Sequence, residues 1–308
     1  MAAVIVRGDA RHLPLDDASV DLIVTSPPYY ALRDYRDGDS SLAGQIGSEA
    51  TPQEYVAALL ECTREWMRVL KPEGSMFVDL GDKYDGKSLL FLPERYRIAC
   101  RDELGLIGRA VMIWSKPNGL PESVTDRVRR SHEDWVHLTK QPRYFSAVDE
   151  IREARKWNRE INDSWTAARR AREEGSQTCP RGGRFASMNA RGALPGSVWE
   201  IATQPLKVPA HLAVDHYAAF PMEWPRRIIL GWSPIGGVIA DPFGGTGTTA
   251  LVADVLGRRG VSIDRSGDYC RLAAWRTTDP GERARALGVP KPPPVMNGQG
   301  DLFEEVTG

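Results

Sequence analysis

Short apolar runs without regular polar alternation recur along the chain, and this pattern is typical of strands that are buried on both faces of a parallel sheet. Amphipathic segments with helical spacing lie between many of these runs, so the sequence predicts a doubly wound α/β protein. The predicted strands are residues 4–6, 21–24, 75–80, 111–114, 135–138, 238–241 and 260–264.

The clearest predicted helix extends from Thr51 to Leu70. Thr51, followed by Pro52 and Glu54, has the sequence of a capping box with proline in the first turn. Apolar residues then recur at spacings of three and four and form one face of the helix. Further helices are predicted over residues 93–104, 248–256 and 269–276.

Composition narrows the class of protein. Of 308 residues, 42% are hydrophobic and 26% are charged, with 40 basic against 41 acidic residues, which is typical of a globular protein of one large domain or two. No apolar run is long enough for a transmembrane helix, and the first residues lack the pattern of a secretory signal. The four cysteines form no Cys-x-x-Cys pair, so neither zinc nor a disulfide scaffold is expected, and a cytoplasmic location is favoured.

A change in composition after Ser146 divides the chain. A charged helical pattern over residues 149–174 is followed by residues 176–196, which contain four glycines, two prolines and three arginines but no acidic residue. This second part is typical of an irregular basic loop. The predicted units are one half of a domain over 1–146, an insert over 147–197, the second half over 198–278 and a flexible tail over 279–308.

A glycine-rich motif follows one predicted buried strand. Asp241-Pro-Phe-Gly-Gly-Thr-Gly-Thr-Thr leads from the strand into a helix, where close backbone approach and free N–H groups favour an anionic ligand. Asp264, 20 residues after Gly244, ends the next strand, and a carboxylate at that place accepts hydrogen bonds from ribose hydroxyls. The motif predicts a nucleoside cofactor, with a structural turn as the alternative. It does not fit the Gly-x-Gly-x-x-Gly pattern of NAD sites.

A second motif, Ser26-Pro27-Pro28-Tyr29, follows another predicted strand, at the edge where open α/β sheets bind ligands. The prolines fix the backbone, so that the Ser26 side chain and the Pro27 carbonyl are presented as acceptors. Tyr29 adds a flat face for stacking. Acceptors beside a ring suit a planar base with an exocyclic amino group, extruded from its double helix. A plain Pro-Pro turn is the alternative.

Together the two motifs resemble those of the DNA amino-methyltransferases, which transfer a methyl group from S-adenosylmethionine to N4 of cytosine or N6 of adenine. The catalytic motif of that family is Asp/Asn/Ser-Pro-Pro-Tyr/Phe, and its cofactor motif is close to Asp-Pro-Phe-x-Gly-x-Gly-Thr-Thr. Here the catalytic motif comes first, an order that resembles the circularly permuted beta group. The resemblance covers roughly residues 4–277.

The resemblance implies a Rossmann-like methyltransferase fold, S-adenosylmethionine as cofactor and double-stranded DNA with an extruded target base as partner. It also implies that residues 4–6 lie beside residues 260–264 in the sheet. Asp9 would then lie near the adenine of the cofactor, or else serve as a turn residue. The implied catalytic residues are Ser26, Pro27, Pro28 and Tyr29. The implied cofactor residues are Asp9, Phe220, Asp241, Phe243, Gly244, Gly245, Gly247, Thr248, Thr249 and Asp264.

The activity implied is site-specific methylation of DNA. Serine at the first motif position is similar to the cytosine-N4 members, whereas aspartate is usual for adenine, so N4 of cytosine is favoured over N6 of adenine. A protein or RNA amino-methyltransferase and a non-catalytic DNA-binding relative are the remaining alternatives. The chain contains no Pro-Cys dipeptide, which methylation of cytosine C5 would require.

The insert matches the place where the resembled family carries its target-recognition part. The candidate DNA-binding residues are its arginines Arg181, Arg184 and Arg191. A second basic cluster, for which a solvated surface is an equal alternative, comprises Arg127, Arg129 and Arg130. His211 and His216 have no further ligands near them in the sequence, so no metal is expected. A monomer and a homodimer both stay open.

DNA binding is expected to depend strongly on salt despite the net charge of −1, because local arginines displace counterions from phosphates. Replacing Arg181, Arg184 and Arg191 together by alanine is expected to lower DNA affinity and to leave cofactor affinity unchanged. Titrations of labelled duplex DNA from low to moderate salt, with calorimetry of S-adenosylmethionine binding as the control, check both statements. An affinity for DNA that stays level across the salt range would contradict the prediction.

Overall fold

The computed structural model describes residues 3–32, 36–38, 40–119, 121–154, 189–212, 214 and 219–290. Eight strands of this part of the chain form one sheet. They are β1 (Val4–Arg7), β2 (Val20–Thr25), β3 (Leu70–Leu80), β4 (Ile107–Ser115), β5 (His132–Thr139), β6 (Val198–Glu200), β7 (Val238–Asp241) and β8 (Arg259–Asp264). Two small hairpins pair Arg36–Asp37 with Ser40–Ser41 and Tyr84–Asp85 with Ser88–Leu89.

The order of strands across the sheet is β1-β8-β7-β2-β3-β5-β4-β6. Neighbouring strands are parallel, except that β5 is antiparallel to both β3 and β4. The connections diverge between β7 and β2, because the chain passes from β2 to β3 on one side and from β7 to β8 on the other. Such a switch point leaves a crevice at the carboxyl ends of the strands, where ligands of α/β proteins bind.

Helices cover both faces of the sheet. They are α1 (Pro52–Val69), α2 (Leu92–Asp102), α3 (Glu223–Trp232), α4 (Thr248–Val255), α5 (Gly267–Thr278) and α6 (Pro280–Leu287), with short 3-10 turns at Val148–Ile151 and Ala210–Leu212. Side chains of α1 and α2 form one core with Val20 and Ile23, and side chains of α3 and α4 form a second with Leu22 and Val24. From Leu22 to Val24 successive residues of β2 therefore enter different cores, as its apolar run predicts, and a register shift between Val20 and Leu22 places Val20 with Ile23.

Two predictions of local structure are confirmed. The Thr51 hydroxyl accepts a hydrogen bond from the Glu54 amide at 3.2 Å, and the Glu54 carboxylate accepts one from the Thr51 amide at 2.9 Å, which completes the capping box. The first strand lies beside the last, with Val4 opposite Val261 in parallel register. No helix of the described residues is long and apolar enough to cross a membrane.

One expectation is corrected, and two features go beyond the prediction. The sheet is mainly parallel, as its apolar runs predict, but β5 is antiparallel, because a short apolar run carries no signal of its direction. Helix α3 is absent from the predicted elements, although it buries Trp224 and Ile228. The tail does not begin at residue 279: the Asp279 carboxylate accepts a bond from the Glu282 amide at 2.8 Å and so caps α6, which buries Glu282 and Ala286.

Candidate active site

Both motifs open into one cleft at the carboxyl edge of the sheet, at the switch point between β7 and β2. We call residues 26–29 the catalytic loop and residues 242–247 the glycine loop. The cleft contains about 760 Å³ of empty space, part of it open to solvent. Its lining residues are Asp9, Ala10, Arg11, Ser26, Pro28, Leu42, Gln45, Ile46, Pro242, Phe243, Gly245, Asp264, Arg265, Ser266 and Tyr269.

The glycine loop takes a shape that side chains would prevent. Gly245 and Gly247 have φ values of +48° and +73°, and a Cβ atom at Gly244 would overlap the Ser262 hydroxyl on β8. Gly247 precedes α4 without a side-chain cap, so the first amides of that helix face the loop. The loop is thus a backbone cradle of the kind that binds anionic groups at a helix start.

Asp264 is held in a fixed orientation beside this cradle. Its two carboxylate oxygens accept hydrogen bonds from the amides of Gly245, at 2.8 Å, and Ser266, at 2.9 Å. Burial raises the pKa of this carboxyl, and these backbone bonds offset part of the effect. Because each carboxylate oxygen has two acceptor positions, both oxygens can still accept a hydrogen bond from a ligand in the cleft.

Asp9 lines the same cleft, in the turn after β1, where the Gly8 amide donates to the Asp264 carbonyl at 2.9 Å. It accepts hydrogen bonds from the amide and the guanidinium of Arg11, at 2.7–3.0 Å. Burial opposes the charge on Asp9, but the bonds from Arg11 outweigh it and hold the pKa of the carboxyl below its usual value. The pairing of β1 with β8 is what brings this turn to the cleft.

Asp241 lies behind the cleft and joins the two loops. Its Oδ1 accepts hydrogen bonds from the Thr25 hydroxyl, at 2.7 Å, and the Phe243 amide, at 3.2 Å, while Oδ2 accepts one from the Thr249 hydroxyl at 2.8 Å. Burial of the side chain raises the pKa of Asp241 to about 6, although these bonds favour the charged form. Asp241 and Thr249 are thus hydrogen-bonded to one another and to residues at the end of β2.

Arg276 on α5 is a candidate site residue that the sequence analysis misses. It is 3% exposed and donates hydrogen bonds to the hydroxyls of Thr246, at 2.8 Å, and Thr248, at 2.6 Å. Its Nε pairs with the Glu282 carboxylate at 2.7 Å. The signal is present in the sequence, because Arg276 shares the helical face of the buried Leu272 and Ala273.

The catalytic loop is fixed from below by neighbouring elements. The Pro28 carbonyl accepts a hydrogen bond from the Tyr55 hydroxyl at 2.9 Å, so this carbonyl is already satisfied. The Tyr29 hydroxyl donates to Asp79 at 3.1 Å, and a Cβ atom at Gly81 would overlap the Tyr29 ring. The ring therefore has a set position, which favours stacking of a planar ligand at low entropic cost.

A buried acidic residue lies directly behind the catalytic loop. Asp79, on β3, is 1% exposed, and its Oδ1 atom has no hydrogen-bond partner within the described part of the chain. Burial and the nearby charge of Glu133 raise its pKa well above the usual value, and Lys116 and hydrogen bonds from Tyr29 and Ser26 offset part of this. Asp79 is not predicted from the sequence, because a single aspartate within an apolar strand gives no motif.

Lys116 and Glu133 complete this acidic cluster. The two side chains form an ion pair at 2.5 Å, and the Lys116 ammonium lies 4.2 Å from the centre of the Trp114 ring. Glu133 is near the beginning of β5, and only the antiparallel direction of β5 brings that end to the carboxyl edge of the sheet. Ser26, Tyr29, Asp79, Glu133 and Lys116 thus occur together there.

Other predicted residues lie elsewhere. Phe220 packs edge-on against Trp135, with ring centres 5.6 Å apart, and does not line the cleft. Arg191 pairs with Glu150 at the surface, whereas Arg181 and Arg184 lie outside the described residues. Arg127 lies 3.9 Å from the centre of the Tyr84 ring. No group of three or more metal-binding side chains is present in the ranges that the structure describes.

Comparison with known proteins gives one consistent family. The model of the DNA methylase family, named for N6 and N4 methylation, matches residues 20–274. The chain is 31% identical to the type II methyltransferase M.SmaI of Serratia marcescens, with 88% of this chain and 89% of that protein covered. It is 30% identical to the type II methyltransferase M.XycI of Xanthomonas campestris pv. cyanopsidis, with coverages of 89% and 87%.

Solved structures agree in fold. The PvuII DNA methyltransferase, described as cytosine-N4-specific, is 21% identical, with a TM-score of 0.67 and coverages of 94% of this chain and 91% of that one. A Thermus thermophilus protein complexed with S-adenosyl-L-methionine is 24% identical, with a TM-score of 0.55 and coverages of 92% and 96%. At these identities the likeness concerns the fold alone.

The contacts of Arg276 predict that it positions the glycine loop. Arg276→Lys keeps the ion pair with Glu282 but loses the forked bonds to the two threonines. S-adenosylmethionine is therefore expected to bind at least about ten-fold more weakly, since a hydrogen bond to a charged group contributes about 1.5–3 kcal/mol.

Calorimetric titration measures this affinity, and thermal unfolding reports on the fold of the variant. Arg283→Lys is the matched control, because Arg283 pairs with Asp254 and contacts no residue of the glycine loop among its described hydrogen bonds. Wild-type affinity in a folded Arg276→Lys variant would refute the positioning role.

Proposed function

The chain belongs to the DNA methylase family of N4-cytosine and N6-adenine methyltransferases, and we propose that it transfers a methyl group from S-adenosylmethionine to N4 of cytosine in double-stranded DNA. The observation that carries this proposal is that the catalytic loop and the glycine loop open into one cleft. A methyl donor bound by one loop and an amino group held by the other would then meet there, as direct transfer requires.

The residues of the cleft fit the cofactor. The open acceptor positions of Asp264 suit the two ribose hydroxyls, and the glycine loop suits the close approach of a nucleoside. Asp9 faces the same cleft and would accept from the adenine amino group, while Phe243 and Gly245 line the space between. Bound S-adenosylmethionine supplies an electrophilic methyl group on a sulfonium.

The catalytic loop would orient the amino group of the target base. The Ser26 hydroxyl and the Pro27 carbonyl accept from the two amino hydrogens, which directs the nitrogen lone pair towards the methyl group. Tyr29 stacks on the base in the position that Gly81 and Asp79 give its ring. This arrangement lowers the barrier by orientation and electrostatics, without a covalent enzyme intermediate.

Asp79 would receive the proton that the amino group releases. Its unpartnered Oδ1 lies in a dry position behind the loop, and a carboxylate with a raised pKa is a stronger base than one in water. Ser26 is close enough to lower the pKa of Asp79, and its hydroxyl would relay the proton between nitrogen and carboxylate. Lys116 keeps the paired Glu133 from adding its full charge to the cluster.

The proposed target base is cytosine rather than adenine. Ser26 presents a neutral hydroxyl where many adenine-specific relatives have a carboxylate, and this favours cytosine. Adenine N6 is the second candidate, since the family includes both activities.

The nucleoside product decides between the two bases. DNA incubated with the wild-type protein and methyl-labelled S-adenosylmethionine, then digested to nucleosides, is expected to contain N4-methylcytosine. N6-methyladenine instead would overturn the assignment of the base. If no DNA is methylated while the cofactor binds, the DNA substrate is wrong and an RNA or protein acceptor has to be sought.

Ser26→Ala is expected to slow methyl transfer by roughly ten-fold or more, the equivalent of one hydrogen bond of about 1.4 kcal/mol that matters most in the transition state. Affinity for DNA and for S-adenosylmethionine is expected to change little. Single-turnover rates and equilibrium binding separate the two effects. An unchanged rate would remove Ser26 from the mechanism.

The role of Asp79 predicts a pH dependence of the single-turnover rate. Because Asp79 must be ionised to accept the proton, the rate is expected to rise with pH through its raised pKa. Asp79→Asn is expected to be slow at every pH and to lose this rise. Glu133→Gln removes one cause of the raised pKa, so the rise is expected to move to lower pH. A rate profile that both variants leave unaltered would contradict the role.

A further inference from the structure

Two exposed apolar side chains belong to segments that follow or support the catalytic loop. Leu32, three residues after Tyr29, is 56% exposed, and Phe91, just before α2, is 53% exposed. Isolated apolar residues on a surface are common, but the residues that precede these two, Ala31 and Leu90, both bond to one lysine, Lys83. We call Leu32, Lys83 and Phe91 the catalytic rim.

Hydrogen bonds connect the catalytic rim to the floor of the active site. The Lys83 ammonium donates to the Ala31 carbonyl at 2.8 Å, and the Lys83 carbonyl accepts from the Leu90 amide at 2.9 Å. Asp82, next to Gly81 under the Tyr29 ring, accepts from the Phe91 amide at 3.1 Å. Phe91 is therefore tied through Asp82 to the ring that is proposed to stack on the target base.

The backbone of the catalytic rim is strained. Phe91 has φ and ψ of +56° and +42°, and Ala31 has a φ of +46°, in the left-handed region that bulky L residues rarely adopt. The Asp82 carboxylate imposes this shape, because it also accepts from the Leu92 amide at 3.1 Å. Strain of this kind occurs preferentially at functional sites, and here it holds an aromatic ring out in solvent.

The charge beside Phe91 suits a phosphate backbone. Among the described residues the Lys83 ammonium makes one hydrogen bond through its three protons, and it lies 5.7 Å from the centre of the Tyr30 ring. Two neighbouring cations are paired with carboxylates: Lys87 with Asp126, and Arg127, which lies over Tyr84, with Glu122. Lys83 is therefore a cation of this surface that no carboxylate pairs within the described part of the chain.

We propose that Phe91 enters the DNA base stack at the position that the target base leaves, with Lys83 at the adjoining phosphate. This inference rests on the proposed function, in which the target base is extruded. Extrusion leaves a gap in the duplex, and an apolar side chain that fills it offsets the lost stacking. Phe91 has the required aromatic surface and exposure, its backbone is fixed by Asp82, and Asp82 adjoins the glycine that lies against the Tyr29 ring.

The test compares two duplexes that carry the site methylated by the wild-type protein. In one, the target base is normally paired; in the other, it faces an abasic site, so that extrusion costs less. Phe91→Ala is expected to methylate the paired duplex about ten-fold more slowly or worse, as for the loss of one base–aromatic stack. On the abasic duplex it is expected to act close to the wild-type rate, and its affinity for S-adenosylmethionine is expected to be unchanged.

Ile98→Ala is the matched control, since Ile98 is an equally exposed apolar residue on α2, 58% exposed and two turns further along. Wild-type rates for Phe91→Ala on both duplexes, an equal loss on both, or the selective loss in Leu32→Ala instead would each overturn the proposal. If the wild-type protein methylates no DNA, there is no such site, the proposed function is refuted, and this inference fails with it.

Discussion

The three hydrogen bonds accepted by Asp241 are the contact on which the site depends. They fix the end of β7 to the end of β2 and to the beginning of α4. The separation between the glycine loop and the catalytic loop is thereby fixed. The burial of this carboxylate is unfavourable, as its raised pKa of about 6 reflects. Because folding raises this pKa, the contribution of Asp241 to the free energy of unfolding decreases as pH rises through this range. The bonds of the same buried carboxylate place the two loops.

The sequence predicts the parts of this arrangement that are local. A strand, a turn and a helix follow one another within a dozen residues in the glycine loop, and Ser26-Pro27-Pro28-Tyr29 likewise needs no distant partner to be recognised. Asp79 and Arg276 are not predicted, because their roles depend on contacts between distant parts of the chain. Asp79 bonds a tyrosine 50 positions earlier, and Arg276 bonds threonines 28 and 30 positions earlier.

The direction of β5 is a further property that an apolar run does not encode. Reversing that strand would remove Glu133 from the carboxyl edge and leave Lys116 without its carboxylate. The indoles beneath this pair give it a dry, rigid support: Trp135 stacks on Trp224 at 5.0 Å with planes 9° apart, and Trp114 meets Trp224 edge-on. A low local polarity of this kind strengthens every charge interaction above it.

The position of β1 affects how the protein folds during its synthesis. β1 pairs only with β8 among the described strands, so β1 cannot enter the sheet before β8 has been synthesised. The wall of the cleft that carries Asp9 is therefore completed only after β8 has left the ribosome. A nascent chain would gain its sheet centre and catalytic loop earlier than its full cofactor site, as contacts of such long range close slowly.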